Sequence, residues 1–417
     1  MSNGALLIFN GGSSSLKFTL YETNDSENKK NKSENENEIK IKKEQKDKNE
    51  KLKKIIGGQI ERITEAPLLT MHAASGEQLT QREWPANSHP HDTELVSALI
   101  KEIEKHHQIP LRAAGHRIVH GGPHYFQPTL LDEKVLAELE ASVPLAPLHL
   151  PHNLAPIRAF AELYPKLPQI GCFDTGFHAT MPRIEKLFGL PRELLDAGIV
   201  RYGFHGLSYE FISSQLSGLD IRAAQGRTIV AHLGNGASVC AMQNGKSVAT
   251  SMGFSALDGL IMGTRCGSID PGVLIYLLCE RNYDAKKLEQ LLYHECGLLG
   301  ISGGISADVR DLLASDSPLA KEAIDLFCYR VVREIGAMIA VNGGIDALIF
   351  TGGIGQHAAP IRAAICTGLA CFDIKIDAAK NAAEEAKISA ANSGVGVWAI
   401  ATDEEGVIAQ HCETLLE

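Results

Sequence analysis

The nine cysteines of this 417-residue chain, at 172, 240, 266, 279, 296, 328, 366, 371 and 412, include no C-x-x-C pair. Odd in number and scattered, they exclude a zinc module and a secreted disulfide scaffold, and predict reduced thiols in a cytoplasmic protein. Long hydrophobic runs are missing as well. The stretch 335–350 is interrupted by Asn342, Gly343, Gly344 and Asp346, so no membrane span is expected. No secretory leader fits, because a strand pattern opens about five residues in. Positive charge is in deficit, with 40 Lys and Arg against 50 Asp and Glu. The resulting net charge of −10 excludes a general nucleic-acid or anionic-membrane surface. Two nucleotide signatures are also absent: neither G-x-x-x-x-G-K-[ST] nor G-x-G-x-x-G occurs.

What remains is a globular composition, 44% hydrophobic and 22% charged, with length enough for two domains. The most informative stretch is at residues 6–19. An apolar strand runs into Asn10-Gly11-Gly12-Ser13-Ser14-Ser15 and leaves through Leu16-Lys17-Phe18. Asn10, three hydroxyls, closely spaced backbone N–H groups and Lys17 can wrap the terminal phosphates of a nucleotide. The same design returns at 228–239, with His232-Leu233-Gly234-Asn235-Gly236 at the turn. One such turn in each half predicts a duplicated ATPase core with ATP in the cleft between. Residues 24–54 are different in kind, with eleven Lys, eight Asp or Glu, and Ile39, Ile41 and Leu52 as their apolar residues. That segment predicts a solvated insertion in the hairpin, which the fold tolerates because loop-closure cost grows only logarithmically.

Apolar periodicity predicts helices at 93–106, 133–141, 156–163 and 209–216, the last capped by Ser208. Further helices are expected near 271–281, 285–294, 318–341 and 358–369, and at the C-terminus. Strands are expected at 55–63, 113–120, 170–173, 228–233, 237–242, 347–350 and 395–401, giving α/β architecture with mixed sheets. On a strand, Arg117 and Val119 share one face, a guanidinium beside a small apolar surface that suits a short-chain carboxylate. His116 and His120 would bind a metal only on a helix. Asp174 and Glu404 stand at strand ends, where they fit magnesium ligands or helix N-terminal acids. His205 lies between two glycines, as a ligand contact or a packed loop residue. Arg265, in Met262-Gly263-Thr264-Arg265-Cys266-Gly267, reads as half of a phosphoryl clamp with Arg117, or as a surface ion pair. Thr351-Gly352-Gly353-Ile354-Gly355 is expected as a glycine turn between strand and helix that would let a purine lie against bare backbone.

In this order the motifs N-x-G-S-S-S-L-K, G-H-R-x-V-H-G-G, L-A-P-L-H, F-D-T-x-F-H, Y-G-F-H-G, H-L-G-N-G, M-G-T-R-C-G and T-x-E-E resemble the acetokinase family, within the sugar kinase, Hsp70 and actin superfamily. The resemblance implies a duplicated ribonuclease H-like two-domain α/β fold with mixed sheets and an interdomain cleft. Its lobes would be 1–175, joined by a C-terminal helix from about 405 to 417, and a nucleotide-binding lobe at 176–404. It implies reversible transfer of the ATP γ-phosphoryl group to acetate, giving acetyl phosphate and ADP, with Mg²⁺ or Mn²⁺, by a homodimer. Carried over, Asn10, Ser13, Ser15 and Lys17 form the first phosphate region, and His232, Leu233, Gly234, Asn235 and Gly236 the second. Arg117 and Arg265 would hold the acyl and phosphoryl groups, and His205 the transition state. Asn10, Asp174 and Glu404 would govern the metal, with Asp174 also catalytic. Val119, Leu148, His149, Phe204 and Ala256 would line the acyl pocket, and Gly353 and Gly355 the adenosine. Three residues depart from the pattern. Ala256 replaces a frequent proline and leaves room for propionate; Gln356 replaces a glutamate and Ser268 an aspartate.

Overall fold

The computed structural model describes residues 4–12, 15–23, 52–63, 66–86, 88, 90–147 and 149–417. Ser13, Leu148 and residues 24–51 of the charged insertion therefore lie outside the described residues. The chain divides into two compact units, Met1–Gly176 with Asp403–Glu417, and Phe177–Thr402.

The first unit holds an eight-stranded sheet in the order β5-β4-β3-β2-β1-β6-β8-β7. Its strands are β1 (Gly4–Gly11), β2 (Ser15–Thr23), β3 (Leu52–Glu61), β4 (Leu68–Ala73), β5 (Gln78–Glu83), β6 (Leu111–Ile118), β7 (Thr129–Leu130) and β8 (Gln169–Phe173). β3 begins at Leu52, three residues before the expected start, because Lys53 and Lys54 pair with Glu22 and Tyr21 while their side chains stay exposed. Around the sheet stand α1 (Asp92–His106), α2 (Glu133–Ala141), α3 (Leu150–Leu163) and the C-terminal helix, labelled α9 below (Glu404–Leu416). Leu6–Phe9 reads as an unbroken apolar run because both faces of β1 are covered. Leu7 and Phe9 join Leu95, Leu99 and Phe160 in one core cluster. On the other face Ile8, Ile408 and Cys412 crowd Gly115 so closely that a Cβ there would meet each within 2.8 Å. α3 starts six residues before the expected Pro156: Pro151 opens it, and Pro156 sits inside.

The second unit carries a five-stranded sheet in the order β11-β10-β9-β12-β13. These are β9 (Arg227–Leu233), β10 (Ala237–Gln243), β11 (Lys246–Thr250), β12 (Ala347–Thr351) and β13 (Gly396–Ala399). Its main helices are α4 (Gly206–Leu219), α5 (Pro271–Glu280), α6 (Pro318–Val341), α7 (Gly352–His357) and α8 (Ala359–Gly368). Every residue of β12 is buried. The strand plan repeats that of the first unit. β3-β2-β1 and β11-β10-β9 are antiparallel meanders, and β6-β8 and β12-β13 continue each sheet in parallel from its first strand. The fold is thus a duplicated α/β arrangement of two mixed sheets. Two local expectations fail. Ser208 is not the cap of α4, which begins at Gly206 with His205 as a left-handed N-cap at φ 60°. The glycines after β12 form a helix, α7, rather than a turn.

Candidate active site

In the first unit three strand ends deliver the chemistry. Asn10 pairs with Arg117 in the parallel β1–β6 register, and Asp174 follows directly on β8. Arg117 Nε lies 3.1 Å from both Asp174 carboxylate oxygens, and Nη2 donates to Oδ2 at 2.5 Å. Its Nη1 donates to Asn10 Oδ1 and to the Gly11 carbonyl, each at 3.3 Å. The Asn10 amide in turn donates to Glu404 at 3.1 Å and Glu405 at 3.0 Å, in the first turn of α9. Burial opposes the charge on Arg117, but Asp174, then Glu404 and Glu405, outweigh it and hold the guanidinium above its ordinary pKa. Three carboxylates around one cation leave an acidic, oxygen-rich centre. Among the described residues no group of three or more His, Cys, Asp or Glu forms a ready metal cage. A hard cation that takes one or two protein carboxylates and completes its shell with phosphate and water nonetheless fits Asn10, Asp174 and Glu404.

Sequence reasoning missed Asn153. It is buried on α3, where its Nδ2 donates to the Gly11 carbonyl and its Oδ1 accepts from the Val119 N–H, both at 2.9 Å. One amide thus ties the end of β1 to the residues just past β6, and a lone amide in an apolar helix was the available signal. Val119 is buried, and His149 is the N-cap of α3. Lys17 stands exposed on β2 opposite Asn10, while Ser15 closes the turn by accepting the Gly12 N–H through its carbonyl at 2.7 Å.

In the second unit the β9–β10 turn is tight: Gly234 N–H donates to the Gly236 carbonyl at 3.0 Å. A Cβ on Gly236 would sit 3.0 Å from Arg265 Nη2 and 3.1 Å from His205 Nε2, so both donors converge on this turn. Arg265 is braced through Nη1 by the Ala256 carbonyl at 2.8 Å, which gives Ala256 a backbone role in addition to the side chain it presents. The His205 ring stacks on His232 at 4.3 Å, and its Nδ1 lies 2.8 Å from Ser238 Oγ. Phe204 is buried, with its carbonyl 2.9 Å from His178 Nε2. The loop 262–265 docks on the turn through Gly263 N–H and the Asn235 carbonyl at 3.2 Å. Ser268 is no vacancy for an aspartate: its hydroxyl donates to Asp258 at 2.7 Å, where an acid would repel.

Beside this turn lies a cavity of about 720 Å³, lined by Gly234, Asn235, Asp308, Arg310, Gly353 and Ile354 among others. That size is in the range of small-molecule sites. Gly352, just before the cavity-lining Gly353, has φ +75° and no room for a Cβ, which would come within 2.6 Å of the Leu233 carbonyl. Of the two glycines expected at the adenosine, Gly353 lines the cavity. Gly355 is buried behind it near Phe350, and its carbonyl accepts from Arg362 at 3.0 Å. Gln356 likewise braces Arg362 through its carbonyl. Leu233 is buried in β9 and His232 is half-buried. The wall at 307–313 was not anticipated. Its signal is the Gly303-Gly304 pair ahead of Asp308, which N-caps a short helix.

Known proteins match the whole of this arrangement. The Acetokinase family profile covers residues 5–410. The chain is 45% identical to the acetate kinase of Rhodopseudomonas palustris (strain ATCC BAA-98 / CGA009) over 410 residues, 97% of each protein. It is 50% identical to that of Rickettsia akari (strain Hartford) over 307 residues, 74% of this chain and 80% of the relative. A propionate kinase from Francisella tularensis superposes with TM-score 0.84 at 34% identity, covering 99% of each chain. Porphyromonas gingivalis acetate kinase superposes with TM-score 0.81 at 31% identity, covering 99% of this chain and 100% of that one. With its duplicated sheets, its strand-end arginine and its glycine-lined turn, the chain belongs to the acetokinase family and is a kinase of that family.

Proposed function

We propose that this enzyme reversibly transfers the γ-phosphoryl group of ATP to acetate, giving acetyl phosphate and ADP. The observation that carries the reading is the convergence of Arg265 Nη2 and His205 Nε2 on Gly236, next in sequence to Gly234 and Asn235, which line a nucleotide-sized cavity. The acceptor carboxylate is already a nucleophile, so the protein needs no strong general base. Its work is positioning and charge neutralisation of a loose phosphoryl transition state. On this reading ATP lies in the cavity beside the Gly234–Gly236 turn. Arg117 and Arg265 then hold the acyl and phosphoryl groups, and His205 donates to the transition state. Asn10, Asp174 and Glu404 would hold magnesium, which would supply neutralisation of phosphate charge when bound. Val119, Leu148, His149, Phe204 and Ala256 would surround the acyl chain.

Acyl phosphate trapped as the hydroxamate from ATP, Mg²⁺ and a C2, C3 or C4 acid tests this directly. Acetate should give the highest kcat/KM, and no acyl phosphate from any acid would leave a non-catalytic nucleotide-binding relative. Propionate is the second reading, favoured by the small Ala256 side chain and by the Francisella propionate kinase. One methylene is worth about 1–3 kcal/mol in a fitted pocket, so a ratio near one between C2 and C3 would place the chain among broad short-chain acyl kinases.

The enzyme would work in the cytoplasm as a homodimer, without nucleic-acid or membrane partners. No described helix is long and apolar enough to cross a membrane. The dimer face we propose is α5, an apolar helix with no buried residue, on which Ile275 is 62% and Tyr276 51% exposed. Ile275→Glu should shift sedimentation equilibrium from twice the 45.0 kDa chain mass to once that mass. A dimer that survives the substitution would move the interface elsewhere.

A further inference from the structure

On the acetokinase reading His205 faces the transferring group, and what it offers there depends on which ring nitrogen carries the proton. The residues behind it are fully buried: Ser238 on β10 and Tyr209 on α4. His205 Nδ1 is 2.8 Å from Ser238 Oγ, which also contacts the Tyr209 hydroxyl. Among the described residues the phenol proton has Ser238 Oγ as its acceptor. That hydroxyl oxygen can accept as well as donate. A buried hydroxyl proton left without an acceptor is strongly disfavoured, so Tyr209 donates to Ser238. The Ser238 proton then points to His205 Nδ1, the other partner of its oxygen. With Nδ1 an acceptor, the neutral ring holds its proton on Nε2, the nitrogen beside Gly236.

We infer that Ser238 and Tyr209 are positioning residues that hold His205 as the Nε2–H tautomer, a neutral donor aimed at the Gly234–Gly236 turn. The neighbouring ring is held in the same way. His232 Nδ1 lies 2.8 Å from Ser208 Oγ, and the two rings stack with only 17° between their planes. Helix α4 therefore supplies both anchors, Ser208 for one imidazole and Tyr209, through Ser238, for the other. This gives a reason for the left-handed His205 at its head, since strained backbone persists where surrounding contacts over-determine it. A neutral Nε2–H donor suits an oxygen that gains charge during transfer.

The test is the two-bond proton–nitrogen spectrum of the full-length protein with ¹⁵N-labelled histidine, His205 being assigned by His205→Gln. At neutral pH the wild type should show a protonated Nε2 and an unprotonated Nδ1. Ser238→Ala and Tyr209→Phe should each give an averaged ring and lower kcat by about tenfold, the value of one hydrogen bond, with KM for ATP and acetate within about twofold. Ser238→Thr, which keeps the hydroxyl, should restore the tautomer and most of the turnover. A wild-type ring protonated on Nδ1, or a tautomer unchanged in both Ser238→Ala and Tyr209→Phe, would overturn the inference. The spectrum reads the ring whether or not acetate is phosphorylated. A wild type that makes no acyl phosphate would therefore sink the functional reading alone.

Discussion

Arg117→Ala should lower turnover by about 10³ and destabilise the first unit, and a second substitution should separate the two losses. The separation follows from where the side chain sits. Asp174 is 1% exposed and takes three contacts from this guanidinium, while Glu404 and Glu405 stand close by. Removing the cation leaves a buried carboxylate without its counter-charge, a change that costs about 3–5 kcal/mol in comparable sites. Arg117→Ala should therefore melt several degrees below wild type. Adding Asp174→Asn removes the stranded charge, so the double variant should regain most of the melting temperature and remain inactive. Arg117→Lys should fall between: one ammonium cannot serve Asp174, Asn10 and the Gly11 carbonyl at once. Hydroxamate initial rates and thermal denaturation on the same samples read both quantities. An alanine variant that keeps a tenth or more of wild-type activity would make Arg117 a structural residue alone.

Legibility in the sequence followed the range of the interactions involved. The helix at 318–341 and the strand at 347–350 are long or wholly apolar, and their ends were read to within one residue. Periodicity measures local burial, and here local burial decides. The β4–β5 extension was missed because its strands bury one face weakly, leaving most of Gln78–Glu83 exposed and without clear alternation. The helix expected at 285–294 stops at Gln290 and continues as a π turn over Leu291–Glu295, a change of hydrogen-bond register that side-chain period does not report. The start of α4 was misread for a similar reason. Capping rules point to Ser208, whose hydroxyl is instead turned to His232 on β9. Residues that act at strand ends declared themselves through their type: Asn10, Arg117, Asp174 and Glu404 gather in one unit, and His205, Gly236 and Arg265 in the other. Asn153 and Ser238 did not, because an amide or hydroxyl takes its meaning from a partner far away in sequence.

Arg265→Ala should lower kcat by about 10²–10³ while the melting temperature holds, which sets it apart from Arg117. The difference is one of surroundings. Arg265 is half-buried, and a neutral group on a loop, the Ala256 carbonyl, braces it. That carbonyl carries no charge to be stranded when the guanidinium is lost, unlike Asp174 beside Arg117. What disappears is Nη2 at the Gly236 turn, the point where the structure also brings His205 Nε2. If that donor engages oxygens that gain charge only as the phosphoryl group moves, kcat and kcat/KM fall together while KM for ATP stays near wild type. An arginine that merely binds the nucleotide would instead raise KM and spare kcat. The same assay on His205→Ala then reports coupling, because two donors aimed at one group do not act independently. The double variant should lose less than the product of the single losses. An Arg265→Ala enzyme within about threefold of wild type would remove this residue from the mechanism.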